Sequence, residues 1–153
     1  MSHFDSIREW RAWRPMPRAT EGAVLGGTTL FESLDRRSVR KLAREVELAR
    51  FIPGDVLATP ASPPDYFHVV LEGHAEVRDA AGKRRIGPGG HFGAAALLGR
   101  ATQEAMVVAA DEVQLLRIPR GMFLELASRN PRVALAVLRQ LAEPDPRLVR
   151  RAA

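Results

Sequence analysis

The stretch IGPGGHFGAAALLGRATQEAMVVAADEVQLLRI, residues 86–118, decides how this chain is read. It begins with a Gly/Pro-dense turn and passes through a short Ala/Leu segment, too brief for an independent helix. It ends in two β-branched runs, 105–110 and 113–118, separated by Asp111 and Glu112. A glycine turn, a helical piece and a hairpin in that order predict a backbone-built pocket beside a sheet, with N–H groups that can face an anion.

Upstream, the pattern is that of strands. Residues 66–71, YFHVVL, form the strongest candidate; Glu72 and Gly73 turn it, and 74–78 pairs next. A hairpin turn at 79–82 leads to a return strand at 83–86. Residues 46–52 and 56–59 are two earlier strands around Pro53, Gly54 and Asp55, and Pro60, Pro63 and Pro64 then exclude regular structure. Many short strands at regular spacing with glycine turns argue for an antiparallel barrel or sandwich.

Helices flank this β region. Residues 31–47 read as a helix with Ser33 as N-cap and Asp35 in the first turn, where its charge suits the helix dipole. Leu34, Leu42 and Val46 form its apolar stripe, with Val39 at the edge. Arg36, Arg37, Arg40, Lys41 and Arg44 form a basic face, read as solvated. After Ile118, Pro119 starts a helix with Phe123, Leu124 and Leu126 as contacts. Pro131 starts a second, with Val133, Leu135, Val137, Leu138 and Leu141 as its buried set. Pro144 and Pro146 end it.

The division expected is a basic N-terminal extension at 1–30, a domain at 31–142 and a short basic tail at 143–153. Within the extension, Ile7, Trp10 and Trp13 recur at helical spacing among Arg8, Arg11 and Arg14, and Pro15 and Pro17 end the segment. Two tryptophans laid on the domain's own surface is the favoured reading, with a membrane-surface or partner-docking segment as the alternative. Residues 20–29, TEGAVLGGTT, read as loop or extended chain.

The 153 residues suffice for one domain with a sizeable core. No apolar run approaches 18 residues, and the N-terminus lacks the apolar core of a secretory signal. Cysteine is absent, which excludes disulfides, thiolate catalysis and zinc–thiolate sites. The net charge is +5, and all cations but Lys41 and Lys83 are arginine. They are spread along the chain without a domain-wide stripe, so charge alone does not argue for nucleic acid.

No catalytic constellation emerges. His3, His68, His74 and His91 form no metal-ligating helical pair; His68 and His74 are read as able to approach across a turn, and His91, in the glycine turn, as facing solvent in preference to a ligand anion. Ser38, Ser62 and Ser128 lack a nucleophile-elbow context. GPGGHFG is neither a P-loop nor a dinucleotide fingerprint. No enzyme activity and no metal are expected.

Several pieces together resemble the cyclic nucleotide-binding domain family of bacterial regulators, ion channels and kinase regulatory subunits. They are FxxL at 31–34, FIPGDVL at 51–57, YFHVVLEG at 66–73, GPGGHFG at 87–93 and AMVVAADEVQLLRI at 105–118. The resemblance covers about residues 31–141. It implies a mainly β fold with flanking helices: an eight-stranded antiparallel, jelly-roll-like β-roll with an N-terminal helix and C-terminal hinge helices.

The resemblance also implies where ligand contacts should lie, and there the chain departs from it. In the family, a phosphate cassette similar to FGExALL followed by PRxATV supplies a glutamate for the ribose 2′-OH and an arginine for the cyclic phosphate. Here those positions are Ala94 and Gln103. Gly93, Ala95 and Ala96 can still build the turn and helix. Arg100, three residues before Gln103, is the candidate replacement for the phosphate. Glu104 would oppose an anion if it pointed inward, and Ala105 opens the following strand. Glutamine offers a neutral donor where arginine offers a charged fork. Losing a buried charged partner costs on the order of 2–5 kcal/mol, and an unpaired buried hydroxyl adds roughly 1–3 kcal/mol. Together that is ~2–5 decades of affinity.

The expectation is therefore a non-enzymatic regulatory or protein-interaction module that has lost ordinary cyclic nucleotide binding. The alternative is a sensor of cAMP, cGMP or another small anion that uses backbone N–H groups and a displaced arginine. No cofactor is expected beyond weakly held cAMP or cGMP. The expected partners are a second copy of the chain through the terminal helices, and a host protein or membrane surface through the basic N-terminus. The expected location is cytoplasmic, at the inner face of a membrane if that arm docks there. Only about ten residues follow Leu141, too few for the helix-turn-helix module that regulators of this fold carry.

Overall fold

In a computed structural model, residues 14–15, 19–59, 65–97 and 106–142 are described. The strands are β1 (Arg14–Pro15), β2 (Glu47–Phe51), β3 (Val56–Ala58), β4 (Tyr66–Glu72), β5 (Ala75–Asp79), β6 (Gly82–Ile86), β7 (His91–Phe92), β8 (Met106–Ala109) and β9 (Val113–Pro119). They form two antiparallel sheets, in the orders β1-β2-β9-β4-β7 and β3-β8-β5-β6. Eight of these strands make the expected roll. β1 is an addition to its edge, pairing Arg14 with Arg50 and Pro15 with Ala49.

The near-continuous apolar runs of β4 and β9 follow from burial on both faces. Successive side chains alternate between faces. Phe67, Val69, Leu116 and Ile118 enter a cluster beneath the helices, whereas Val70, Val113 and Leu115 enter a second cluster between the sheets. The second cluster also takes Ala49, Phe51, Val77, Ile86, Phe92 and Val107, so it is the inner core of the roll.

Five helices are described: α1 (Glu21–Gly27), α2 (Arg36–Glu45), α3 (Ala94–Leu97), α4 (Arg120–Arg129) and α5 (Pro131–Ala142), with a 3-10 turn at Thr29–Phe31. None is long and apolar enough to cross a membrane. α2 buries Val39 and Leu42, and Leu34 and Val46 flank it in the same cluster. Its cap is Asp35 rather than the expected Ser33: Asp35 Oδ1 accepts from the Ser38 N–H at 2.7 Å. The basic face is exposed, with Arg40 near Glu21 at 3.5 Å and Lys41 near Glu125 at 3.0 Å.

Four further expectations are corrected. Residues 21–27 are helical, not loop. Thr20 caps them by accepting from the Ala23 N–H at 3.0 Å, and burial of Val24 offsets the weak helix propensity of the glycines. Arg14 belongs to a strand, not to the end of an amphipathic helix; the rest of that proposed helix lies outside the described residues. The turn at 87–93 contains β7, because His91 and Phe92 pair with Val69 and His68. On α5, Val133 and Val137 are buried, but Leu135 and Leu138 are 48% and 47% exposed. Residues four apart share a helix face, and the face through Val133 and Val137 meets the core while Leu135 and Leu138 turn away from it.

Candidate functional site

The glycine turn is held by its own backbone. The Gly89 N–H donates to Val70 O at 2.8 Å, and the Gly90 N–H donates to Gly87 O at 3.0 Å. These two donors are therefore spent inside the fold and are not offered to an anion. The turn instead sets β7 against β4 and delivers the chain to Gly93.

Gly93 has φ of +101°, and a Cβ there would lie 3.0 Å from the Tyr66 carbonyl oxygen. Both facts require glycine. α3 follows at once, its Leu97 N–H donating to Gly93 O at 3.2 Å. Ala94 and Leu97 are 3% and 1% exposed and pack in the cluster that holds Phe67 and Phe123. The glutamate position of the family cassette is thus a methyl group set in apolar surroundings. Ala95 lies within α3. Arg100, Gln103, Glu104 and Ala105 lie outside the described residues.

The inner face of the large sheet carries a polar row that sequence reading missed. Glu47, Arg117, His68 and Phe92 are register partners across β2, β9, β4 and β7. Arg117 Nη1 is 3.7 Å from Glu47 Oε2, and its Nε–H donates to His68 Nε2 at 3.4 Å. The Arg117 guanidinium carbon sits 4.0 Å from the Tyr66 ring centroid, a cation–π contact. The His68 ring stacks on Phe92 at 4.6 Å and 12°. Alternation along LLRI, with Leu115 inward and therefore Arg117 inward, was the available signal.

Burial, and then the charge of Arg117, lowers the His68 pKa to about 3, so the ring is neutral at neutral pH. With Nε2 accepting, the proton resides on Nδ1. That N–H is buried without a hydrogen-bond partner, and it lies 3.9 Å from the point a Gly93 Cβ would occupy.

The other histidines serve elsewhere. His91 is buried, at 7%, against the Phe67 ring at 5.0 Å, which corrects its expected solvent position. β7 turns it toward the helices. His74 does not approach His68. Its N–H donates to Asp111 Oδ1, and its Nδ1 lies 2.7 Å from Asp111 Oδ2. This clip joins the β4–β5 turn to the β8–β9 turn, and the hydrogen bond from His74 holds the Asp111 carboxyl below its usual range. Among the described residues no three metal-ligating groups cluster.

The strands form a two-sheeted antiparallel β-roll, interrupted by a glycine-led helical insert and flanked by helices. The family profile for the cyclic nucleotide-binding domain matches residues 48–130. The chain belongs to that family. It is 30% identical over 98 residues to a cAMP-dependent protein kinase regulatory subunit of Yarrowia lipolytica, covering 63% of this chain and 26% of that one. It is 29% identical over 131 residues to a cyclic nucleotide-gated potassium channel of Mesorhizobium japonicum, covering 85% and 33%. In fold it is similar to the regulatory subunit of a cAMP-independent protein kinase A from Trypanosoma brucei, with a TM-score of 0.71 and 22% identity, covering 93% of this chain and 50% of that one. The chain spans a third or less of these two curated relatives.

Proposed function

We propose that this chain is a non-enzymatic regulatory and protein-interaction module that has lost ordinary recognition of cAMP and cGMP. Ala94 carries the reading. Where the family presents a carboxylate to the ribose, this chain buries a methyl beside Leu97, and that side chain offers the hydroxyl no acceptor. Gln103 in place of the phosphate-binding arginine acts in the same direction. The absence of a catalytic function is supported by the engagement of His68, His74 and His91 in stacking and clipping contacts. The test is calorimetric titration of cAMP and cGMP into the protein at low salt, up to millimolar ligand. No saturable heat and no thermal stabilisation are expected; micromolar binding of either nucleotide overturns the reading.

Pairing with a second copy of the chain through α5 forms part of the same proposal. It is supported by Leu135 and Leu138, two large apolar side chains half exposed on the helix face opposite Val133 and Val137. The basic residues at 8–18 are the proposed contact to a host protein or to the anionic inner face of a membrane, in keeping with a cytoplasmic location.

A further inference from the structure

The basic run Lys83-Arg84-Arg85 lies on an open edge of the roll. The small sheet has the order β3-β8-β5-β6, so β6 is bonded on one side only, to β5. In an antiparallel strand every second residue points its N–H and C=O away from a given neighbour. Among the described residues, no backbone hydrogen bond is made on the open side of β6. Gly82, Lys83, Arg84 and Arg85 are exposed, and within the strand Ile86 alone is buried.

Side chains alternate between faces along a strand, and cross-strand partners share a face. Arg84 pairs with the buried Val77 and so takes the inner face of the sheet. Lys83 and Arg85 pair with Arg78 and Glu76 and take the outer face. The edge therefore carries cations on both sides of the plane in which a further strand would lie. The two carboxylates of the β5–β6 hairpin are engaged elsewhere. Glu76 Oε1 accepts from Arg78 Nε at 2.8 Å, and Asp79 Oδ1 accepts from the Ala81 N–H at 2.9 Å. Lys83, Arg84 and Arg85 have no ion pair and no side-chain hydrogen bond among the described residues.

Charge decides what can lie along this edge. A second copy of β6 would set cations opposite cations, and like charges directly opposite destabilise a strand pair. A flat anionic bilayer meets one face of the hairpin, so Lys83 and Arg85 reach it while Arg84 is turned away. A strand added alongside β6 instead places side chains on both faces. Its carboxylates then stand next to Lys83 and Arg85 on one face and next to Arg84 on the other, while its backbone takes the open N–H and C=O groups. That match requires carboxylates at consecutive positions, not at alternate ones.

We infer that the open edge of β6 docks an extended acidic segment of a partner protein, which adds a strand to the small sheet and sets consecutive Asp or Glu side chains beside Lys83, Arg84 and Arg85. This names a partner chemistry for the protein-interaction reading above and rests on that reading. It makes no use of Ala94 or Gln103. Calorimetry with cAMP decides the loss of nucleotide recognition and a peptide titration decides the docking edge, so the two fail separately.

The test is fluorescence anisotropy of a labelled, end-capped peptide, a run of glutamates flanked by valines, titrated with the full chain at low salt. Saturable binding at micromolar protein is expected, with amide hydrogen exchange slowed along β6. The same peptide N-methylated at its central glutamates keeps its charge but loses its strand donors, and should bind tenfold or more weakly. Lys83→Ser with Arg85→Ser should weaken the unmodified peptide tenfold or more, and Arg84→Ser should weaken it from the opposite face. Arg36→Ser with Arg37→Ser removes the same charge from the exposed face of α2 and should leave the affinity unchanged. All five positions are exposed, and circular dichroism checks that each variant keeps the fold. No saturable binding at millimolar concentration overturns the inference, as does equal binding of the N-methylated peptide or an equal loss in the α2 variant. Binding to phosphatidylserine vesicles but not to the peptide overturns it in favour of a membrane surface.

Discussion

Acidification from pH 7 to pH 5 should destabilise this fold through His68. Its imidazole is packed on Phe92, next to Arg117, and 8% exposed. Burial, and then Arg117, lowers its pKa from 6.5 to about 3. The unfolded chain therefore binds a proton between those values and the folded chain does not. By linkage, the stabilisation is fully present above about pH 6.5 and is lost as pH falls toward 3. At pH 5 the free-energy loss from this one group is about 2 kcal/mol. The carboxyls of Asp35, Glu76, Asp111 and Glu125 are held low, each chiefly by a hydrogen bond. Their contributions persist above ordinary carboxylate pKa values and fade only below them, outside this window. Urea unfolding followed by far-UV circular dichroism at pH 7 and pH 5 isolates the effect when wild type is compared with His68→Phe, which keeps a ring on Phe92. Wild type should lose about 2 kcal/mol more than the variant over that interval. Equal losses in the two proteins, or an imidazole seen by NMR to titrate above pH 5 in the folded state, would refute the argument.

Two further outcomes follow from α2 and α5. Asp35→Ala removes the acceptor for the Ser38 N–H; it should cost about 1 kcal/mol, seen as a melting temperature lower by roughly 3 °C. Light scattering on a sizing column should find a dimer at tens of micromolar protein, and Leu135→Asp with Leu138→Asp should give a monomer of unchanged melting temperature; a monomeric wild type would sink the pairing proposal.

The roll was legible because its strands announce themselves twice. β4 and β9 are rich in apolar residues, and the turns between strands carry glycine where the chain needs positive φ, at Gly54, Gly73, Gly82 and Gly93. The alanine at position 94, where the family resemblance implies a glutamate, was equally plain in the sequence, because it is read by position within a motif. α1 was not. Its three glycines argue against a helix locally, and only the burial of Val24 in the core overrides them.

Sequence alone determined the order of strands and the family motifs, with alanine at 94 and glutamine at 103, since these depend on local patterning and residue identity. Tertiary structure decided which residues share a wall. Glu47, Arg117 and His68 are far apart in the chain and meet only through the pairing of β2, β9 and β4. Arg84 sits within the basic run Lys83-Arg84-Arg85, where a sequence cannot distinguish inward from outward; its pairing with Val77 places it on the inner face. The physical reason is the two-residue period of a strand. A shift of one residue in register exchanges every side chain between core and solvent, and register is set by partners elsewhere in the chain.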